Sequence, residues 1–448
     1  MPINISKIVE KTQEITNDSA GGSTELELSR VAEIANIIED SSVYSVPTTS
    51  NLPTAANNTG RFVYVDDKCR YYYSNGTSWT DDYLTTDLTS LQIWMSGNNF
   101  YGQLGTNNTI CYSVPTQEAC GGTNWCTISV GLNGSSAIKT DGTLWSWGYN
   151  AQGQLGTNNT TSYSTPQQEA CGGTNWCLSN VSDYLHTSAI KTDGTLWSWG
   201  YNYFGQLGKN NTICYSTPQQ EVCEGTNWCM VRGGYYHASA LKTDGTLWSW
   251  GYNYYGRLGT NNTTNYSTPQ QEVCGGTTWC VVSAGGYYNS AIKTDGTLWS
   301  MGFNLNGQLG TNNTTSYSTP QQEACGGTNW CMVSNGYSYT SAIKTDGTLW
   351  SWGSNSSGNL GTNNTTSYST PQQEVCGGTN WCRTNGIFNY TLATKTDGTL
   401  WTWGNNNNGR LGLNNTTNYS TPQQEVCGFT DWTQPFLRGT LDTSGFFN

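Results

Sequence analysis

Seven copies of one short pattern, W-x-x-G-x-N-x-x-G, constrain the fold of this 448-residue chain more than any other feature. The copies are 51 or 52 residues apart and begin at Trp94, Trp145, Trp197, Trp248, Trp299, Trp350 and Trp401. A unit that recurs at such a period buries its faces only by packing against neighbouring units. We therefore predict seven structural units that are built alike.

The residues inside one copy indicate short β-strands. In the segment SAIKTDGTLWSWG, two β-prone runs flank Asp141-Gly142, a pair that favours the tight turn of a hairpin. The two-residue period of a strand puts Trp145 and Trp147 on one face. Two more glycine-bounded turns, GQLG and CGGTNWC, separate the remaining strands. The predicted fold is all-β, a seven-bladed β-propeller of about 51-residue repeats over residues 89–448.

The two ends of the repeat region are incomplete in complementary ways. The first copy lacks the SAIKTDG hairpin before Trp94, whereas the tail contains a degenerate version of that hairpin at Leu441–Phe447. We expect strands from residues 434–448 to pair beside residues 91–96 and to close the ring.

The pattern SAIKTDGTLWSWGYNxxGQLG resembles the repeat of the regulator of chromosome condensation family. This resemblance covers about residues 89–448 and implies a seven-bladed propeller. The histidine that the family carries before the S-A-L strand is present here only as His186 and His237. We interpret these two residues as surface loop histidines rather than as a catalytic pair.

Residues 1–45 are predicted to form a helical anchoring segment. Residues 5–16 and 25–38 have helical patterns, and Leu28, Val31, Ala35 and Ile38 form a narrow apolar seam. Such a seam docks on a partner, on copies of the same chain in a homo-oligomer, or on the chain's own domain, and the sequence leaves these three possibilities open.

Residues 46–88 are predicted to form a small β module. Turn residues bracket two short aromatic runs, and Asn75-Gly76 turns the chain before Trp79. This segment resembles a module of the form L-P, G-x-x-x-Y-V, Y-Y-x-N-G-x-x-W found in virion proteins of tailed bacteriophages. The resemblance implies a location on the virion surface, extracellular after lysis, and attachment to other virion proteins through residues 1–88.

Twelve of the 16 cysteines form six pairs with C-x5-C spacing. The pairs are Cys120 and Cys126, Cys171 and Cys177, Cys223 and Cys229, Cys274 and Cys280, Cys325 and Cys331, and Cys376 and Cys382. We predict six local disulfides, with buried thiols as the alternative. Zinc is disfavoured, because each copy offers two ligands where a structural zinc site needs four.

Composition narrows the possible functions. The net charge of −12 argues against binding to nucleic acid, and no apolar run is long enough for insertion into a membrane. The copies repeat the same few residues and supply no constellation of different catalytic groups. We therefore expect no enzymatic activity, no cofactor and no metal.

Differences between copies concentrate in two windows, after W-G-x-N and between the second cysteine and S-A-I. Both windows are rich in tyrosine and asparagine, which suit contact with proteins and sugars. The alternative explanation is that the copies diverged in sequence at loops that tolerate substitution. The predicted binding residues are Tyr203, Phe204, Tyr254, Tyr255, Tyr235, Tyr236, His237, Tyr287, Tyr288, Asn289, Tyr337, Tyr339, Phe388 and Tyr390.

Taken together, these features lead us to expect a bacteriophage virion structural protein, such as a tail-fibre, baseplate or capsid-decoration component. Its loops would bind a host-surface glycan or protein, or a neighbouring virion protein. The alternative is a free propeller binding protein of the same repeat family, acting as a secreted inhibitor or as a protein-interaction scaffold.

Overall fold

The computed structural model describes residues 44–46, 62–65, 70–74, 79–80, 92–182, 184–223, 225–428, 432 and 443–447. The chain divides into two compact units, Met1–Asp87 and Leu88–Asn448. In the described ranges, strands dominate and the helical structure consists of one 3-10 turn at Asn407–Gly409. No helix in these ranges has the length and apolar character that a membrane crossing requires.

The first unit contains one four-stranded sheet. Its strands are Tyr44–Val46 (β1), Phe62–Val65 (β2), Arg70–Ser74 (β3) and Trp79–Thr80 (β4). β1 pairs with β2 in parallel, and β2, β3 and β4 pair antiparallel in sequence order. The helices predicted over residues 5–16 and 25–38 lie outside the described residues.

The second unit contains six four-stranded blades, each an antiparallel meander in sequence order. Blade 1 comprises Trp125–Val130 (β7), Gly134–Lys139 (β8), Leu144–Gly148 (β9) and Tyr163–Gln168 (β10). Blade 2 comprises Trp176–Val181 (β11), His186–Lys191 (β12), Leu196–Gly200 (β13) and Tyr215–Gln220 (β14). Blade 3 comprises Trp228–Gly233 (β15), His237–Lys242 (β16), Leu247–Gly251 (β17) and Tyr266–Gln271 (β18).

The other three blades repeat the same arrangement. Blade 4 comprises Trp279–Ala284 (β19), Tyr288–Lys293 (β20), Leu298–Gly302 (β21) and Tyr317–Gln322 (β22). Blade 5 comprises Trp330–Asn335 (β23), Tyr339–Lys344 (β24), Leu349–Gly353 (β25) and Tyr368–Gln373 (β26). Blade 6 comprises Trp381–Ile387 (β27), Tyr390–Lys395 (β28), Leu400–Gly404 (β29) and Tyr419–Gln424 (β30).

In the described residues, the first copy of the repeat forms a three-stranded sheet instead of a four-stranded blade. Ile93–Gly97 (β5) and Tyr112–Gln117 (β6) make a three-stranded sheet with Thr443–Phe447 (β31), which runs antiparallel to β5 with Gly445 opposite Met95. The prediction of seven blades is therefore wrong for the described structure, which has six. The physical reason is that the first copy lacks its own hairpin, and the tail supplies one described strand in place of two.

Each copy is joined to the next by a backbone hydrogen bond from a loop asparagine. Asn158 N donates to Ser216 O at 2.8 Å, and the same bond recurs from copy to copy. The last copy bonds to the first, since Asn414 N lies 2.8 Å from Ser113 O. The series of copies is therefore a closed ring.

Tryptophans and a lysine form the packing unit of each blade. In blade 1, the Trp125 ring contacts Trp145 and Trp147 at centroid distances of 6.5 Å and 6.2 Å. Lys139 Nζ lies 4.4 Å from the centre of the Trp145 ring, where a cation is attracted to the π face. Asp141 accepts hydrogen bonds from Thr143 N and Oγ1 and so fixes the hairpin turn. The repeated lysine and aspartate are therefore structural residues.

A buried glutamate organises the CGGTNWC turn. Between blades 5 and 6, Glu374 Oε2 accepts from Cys376 N at 2.6 Å, and Oε1 accepts from Gly378 N and Trp381 Nε1 at 2.9 Å and 3.0 Å. The turn therefore needs no covalent closure.

The predicted local disulfides are not formed. The first cysteine of each pair is a free thiol, namely Cys120, Cys171, Cys223, Cys274, Cys325 and Cys376. The second lies on the first strand of the blade, where the Cys280 thiol, for example, donates to Ile292 O at 3.4 Å. Cys126 is disulfide-bonded, but not to Cys120. The pairing fails because the glutamate closes the turn and the second thiol contacts the adjacent strand instead.

Candidate binding face

The blade topology gathers both variable windows at one end of the ring. In a four-stranded antiparallel meander, the loop after the first strand and the loop after the third strand open at the same end. In blade 2 these loops contain Tyr184 and Tyr201, whose rings are 5.8 Å apart. The Asp-Gly hairpins and the glutamate-centred turns lie at the opposite end.

Thirteen aromatic rings in the described loops form one connected network, which we call the aromatic face. Its members are Tyr184, Tyr201, Tyr203, Phe204, Tyr235, Tyr236, Tyr252, Tyr254, Tyr255, Tyr287, Phe303, Tyr337 and Phe388. Most of them belong to blades 2 to 4. Blades 5 and 6 have Ser356-Ser357 and Asn407-Asn408 where blade 3 has Tyr254-Tyr255. The face is therefore one-sided, although the blades themselves are nearly identical.

The centre of the aromatic face is stacked across neighbouring blades. Tyr235 of blade 3 stacks on Tyr184 of blade 2 at 5.3 Å and contacts Tyr287 of blade 4 at 5.6 Å. At the rim, Tyr203 and Tyr254 are 63% and 62% exposed. The face therefore combines rings that support one another with rings that are open to a ligand.

The central hydroxyls stay protonated. Burial and a hydrogen bond with Tyr184 raise the pKa of Tyr236, and burial and a hydrogen bond with Tyr287 raise the pKa of Tyr337. Neutral phenols are donors as well as acceptors. The face can therefore give a ligand both ring contact and hydrogen bonds.

Nine of the fourteen predicted binding residues lie on the aromatic face. These are Tyr203, Phe204, Tyr235, Tyr236, Tyr254, Tyr255, Tyr287, Tyr337 and Phe388. They come from five successive blades and are brought together only by the ring.

The other five predicted residues, His237, Tyr288, Asn289, Tyr339 and Tyr390, are fully buried. Four of them begin the second strand of a blade, and Asn289 directly follows one of those four. Their polar atoms bond across blades: His237 Nε2 lies 2.9 Å from Asn289 Oδ1, and the Tyr288 hydroxyl donates to Tyr339 O. His186, which we expected in a surface loop, is also fully buried. The five predicted binding residues hold blades together, and their assignment to a binding surface is corrected. His186 bonds within blade 2, to Ser182 Oγ and Tyr184 O, so its assignment to a surface loop is corrected as well.

Sequence reasoning missed several members of the aromatic face and the cation beneath it. Tyr201, Tyr252 and Phe303 occupy the variable position of W-G-x-N, which is Ser354 and Asn405 in blades 5 and 6. The missed cation is Arg257, for which the signal was GRLG in place of GQLG. Aligning the copies position by position would have shown both departures.

A closed ring of meander sheets with tryptophan-packed blades defines a β-propeller, here with a candidate binding face at one end. A family model described as the regulator of chromosome condensation (RCC1) repeat matches residues 141–173, 193–241, 244–292, 295–343, 346–377 and 397–434. These matches cover more than half of the chain, which therefore belongs to the RCC1 repeat family.

Relatives and solved structures agree with this assignment. The ultraviolet-B receptor UVR8 of Arabidopsis thaliana is 28% identical over 74% of this chain and 76% of its own length. The human E3 ubiquitin-protein ligase HERC2 is 27% identical over 77% of this chain, which corresponds to 7% of the ligase. The structure of human WBSCR16 superimposes with a TM-score of 0.70 at 18% identity, covering 80% of this chain and 98% of that one.

These comparisons overturn the expectation of a bacteriophage virion protein. The relatives are eukaryotic RCC1-like proteins, and the family match rests on the propeller repeats. None of these matches supports the resemblance of residues 46–88 to a virion module. The alternative, a propeller binding protein of the same family, fits these relatives better.

Proposed function

We propose that this protein is a non-enzymatic binding propeller that docks a partner protein on its aromatic face. The observation that carries the proposal is the one-sidedness of the face. In copies that are nearly identical elsewhere, blades 2 and 3 have Tyr203-Phe204 and Tyr254-Tyr255 where blades 5 and 6 have Ser356-Ser357 and Asn407-Asn408. Tyrosine is enriched at protein interfaces because its rigid ring offers large contact area and a polar hydroxyl.

The rest of the repeat supports a scaffold role. Glu374 accepts hydrogen bonds that close its turn, and Asp141 does the same for its hairpin. Lys139 packs on the ring of Trp145. The equivalent residues recur from copy to copy. The charged groups of these residues are therefore already used in contacts inside the propeller. One structure with this fold, that of Prp20p from Saccharomyces cerevisiae, is described with its binding to Gsp1p and histones. It shows that a propeller of this fold binds proteins.

Site-specific photo-crosslinking tests the proposal. A photoreactive phenylalanine analogue is placed at Tyr203 or Tyr254, and in control proteins at Val273 or Val375, which are exposed at the opposite end of the ring. In extract of the cells that make the protein, the first pair should form one crosslinked product. Tyr235→Ala combined with Tyr287→Ala should weaken that product about tenfold, as expected for central interface aromatics. Equal products from both ends of the ring would contradict the proposal.

A further inference from the structure

A buried cation lies beneath the aromatic face. Arg257 is fully buried, and its guanidinium carbon is 4.8 Å, 4.9 Å and 5.7 Å from the ring centres of Tyr252, Tyr287 and Tyr255. None of its three side-chain nitrogens has a hydrogen-bond partner among the residues that the structure describes. The π faces attract the charge, but they leave the N–H groups unsatisfied.

The main electrostatic influences on Arg257 within the described part of the chain come from tyrosines and not from a carboxylate. They are the three just named and Tyr337. Burial lowers the pKa of Arg257 to about 10, which still leaves the side chain protonated at neutral pH. An unpaired charge in this position opposes folding.

In other copies, the position of Arg257 is occupied by a glutamine that makes a stabilising hydrogen bond. Gln206 and Gln308 accept a hydrogen bond at 3.0 Å from the backbone N–H two residues earlier, at Phe204 and Asn306. Arginine has no acceptor and cannot make this bond. Arginine at residue 257 therefore lacks the acceptor that glutamine provides, and it places a charge where the buried Nε2 groups of Gln206 and Gln308 are neutral donors without a partner in the described residues.

Arg410 occupies the same repeat position in blade 6 and is satisfied. Its Nε donates to Asn407 O at 2.9 Å, and one ring, that of Tyr390, lies near its charge at 5.6 Å. The same residue type at the same position is therefore internally bonded in one blade and left with unused donors in another.

We propose that Arg257 anchors a carboxylate-binding site, in which an aspartate or glutamate side chain of the partner protein enters beside Tyr252, Tyr255 and Tyr287. This proposal rests on the proposed function of the aromatic face. The planar guanidinium presents paired donors that match a carboxylate, and one positive charge balances one carboxylate charge. Tyr255 and Tyr287 are only partly buried, so displacement of their rings opens the path from solvent.

Two immobilised peptide pools test this inference. The pools are randomised except at the central residue, which is glutamate in one and glutamine in the other. The wild-type protein should prefer the glutamate pool about tenfold, because charged hydrogen bonds to a buried guanidinium are lost with glutamine. Arg257→Gln should abolish the preference, and Arg257→Lys should reduce it. Arg410→Gln is the matched control and should leave it unchanged.

The outcomes separate this inference from the proposed function. Equal retention of both pools, weakened by Tyr235→Ala, would overturn the carboxylate site and leave the aromatic face as a binding surface. A third pool with central phosphoserine, if preferred over glutamate, would overturn the choice of carboxylate. Retention of none of the pools would contradict both proposals. Arg257→Gln installs the residue found in other copies, so its circular dichroism spectrum should match that of the wild type.

Discussion

At the scale of single residues, polar side chains hold the repeat together. The carboxylate of Glu374 is the acceptor for three N–H groups in its turn. Glu374→Ala should lower the free energy of unfolding by about 2 to 4 kcal/mol, because buried donors lose their acceptors. Urea denaturation measures this change. The adjacent, exposed Gln373→Ala should change stability by less than about 0.5 kcal/mol, and equal effects would contradict the role given to the glutamate.

A second residue-scale prediction concerns pH. Burial lowers the pKa of His186 to about 4 from 6.5, and its Nδ1 lies 2.8 Å from Ser182 Oγ. Between these two pKa values the unfolded chain binds a proton that the folded chain excludes, so stability falls as the pH drops through this window. At about pH 5 the loss amounts to roughly 2 kcal/mol.

His186→Gln should remove this component of the pH dependence. Urea denaturation at about pH 7 and about pH 5 should show a smaller loss of stability in the variant than in the wild type. Ser188→Ala, in the same buried strand, is the control and should keep the wild-type slope. An unchanged slope in His186→Gln would show that the histidine is not the titrating group.

At the scale of elements, the loop after the third strand depends on a close backbone approach. Gly153 has a φ of +77°, and a Cβ there would lie 2.5 Å from Ser216 Cα of the next blade. Gly153→Ala should therefore cost about 3 kcal/mol or more, since both strain and a steric clash oppose it. Gly172→Ala, at a φ of +64° with open space around it, should cost about 1 kcal/mol. Thermal unfolding of the two variants compares them, and similar melting temperatures would contradict the interblade contact.

The element scale also shows what the sequence could and could not predict. The Asp-Gly turns and the alternating tryptophans predicted the all-β propeller, which is confirmed. The variable windows pointed to the loops, but not to the residue at which each second strand begins. His237, Tyr288 and Tyr339 look like loop aromatics in the sequence, yet each is the first residue of a buried strand. Burial at a strand start depends on the neighbouring blade, which no single copy reveals.

At the scale of the whole molecule, ring closure depends on a strand from the far end of the chain. β31 pairs with β5 over five residues, and its loss leaves an unpaired sheet edge. Removing residues 443–448 should lower the melting temperature by about 5 °C or more. Removing Asn448 alone, which keeps all residues of Thr443–Phe447, is the control. Equal melting of the truncated and full-length proteins would show that the strand does not stabilise the ring.

The blade count and the binding face are both properties of the whole molecule. Seven copies of a motif predicted seven blades, but one copy without its hairpin gave a three-stranded sheet, so the described residues form six complete blades. The aromatic face could be anticipated only as scattered residues, because the ring brings loops that are 51 residues apart into contact. The role of Arg257 could not be predicted from one copy, because it depends on the rings that surround the side chain.

Hydroxyl-radical footprinting tests the central claim, that the aromatic face is the binding surface, most directly. Oxidation rates in the purified protein are compared with those in its complex with the partner that the crosslinking experiment identifies. We predict that Tyr203 and Tyr254 lose about tenfold in oxidation rate on binding, since the partner covers these exposed rings and excludes water from them, while Val273 and Val375 at the opposite end stay unchanged. Protection of the two valines with unchanged oxidation of the two tyrosines would contradict the account.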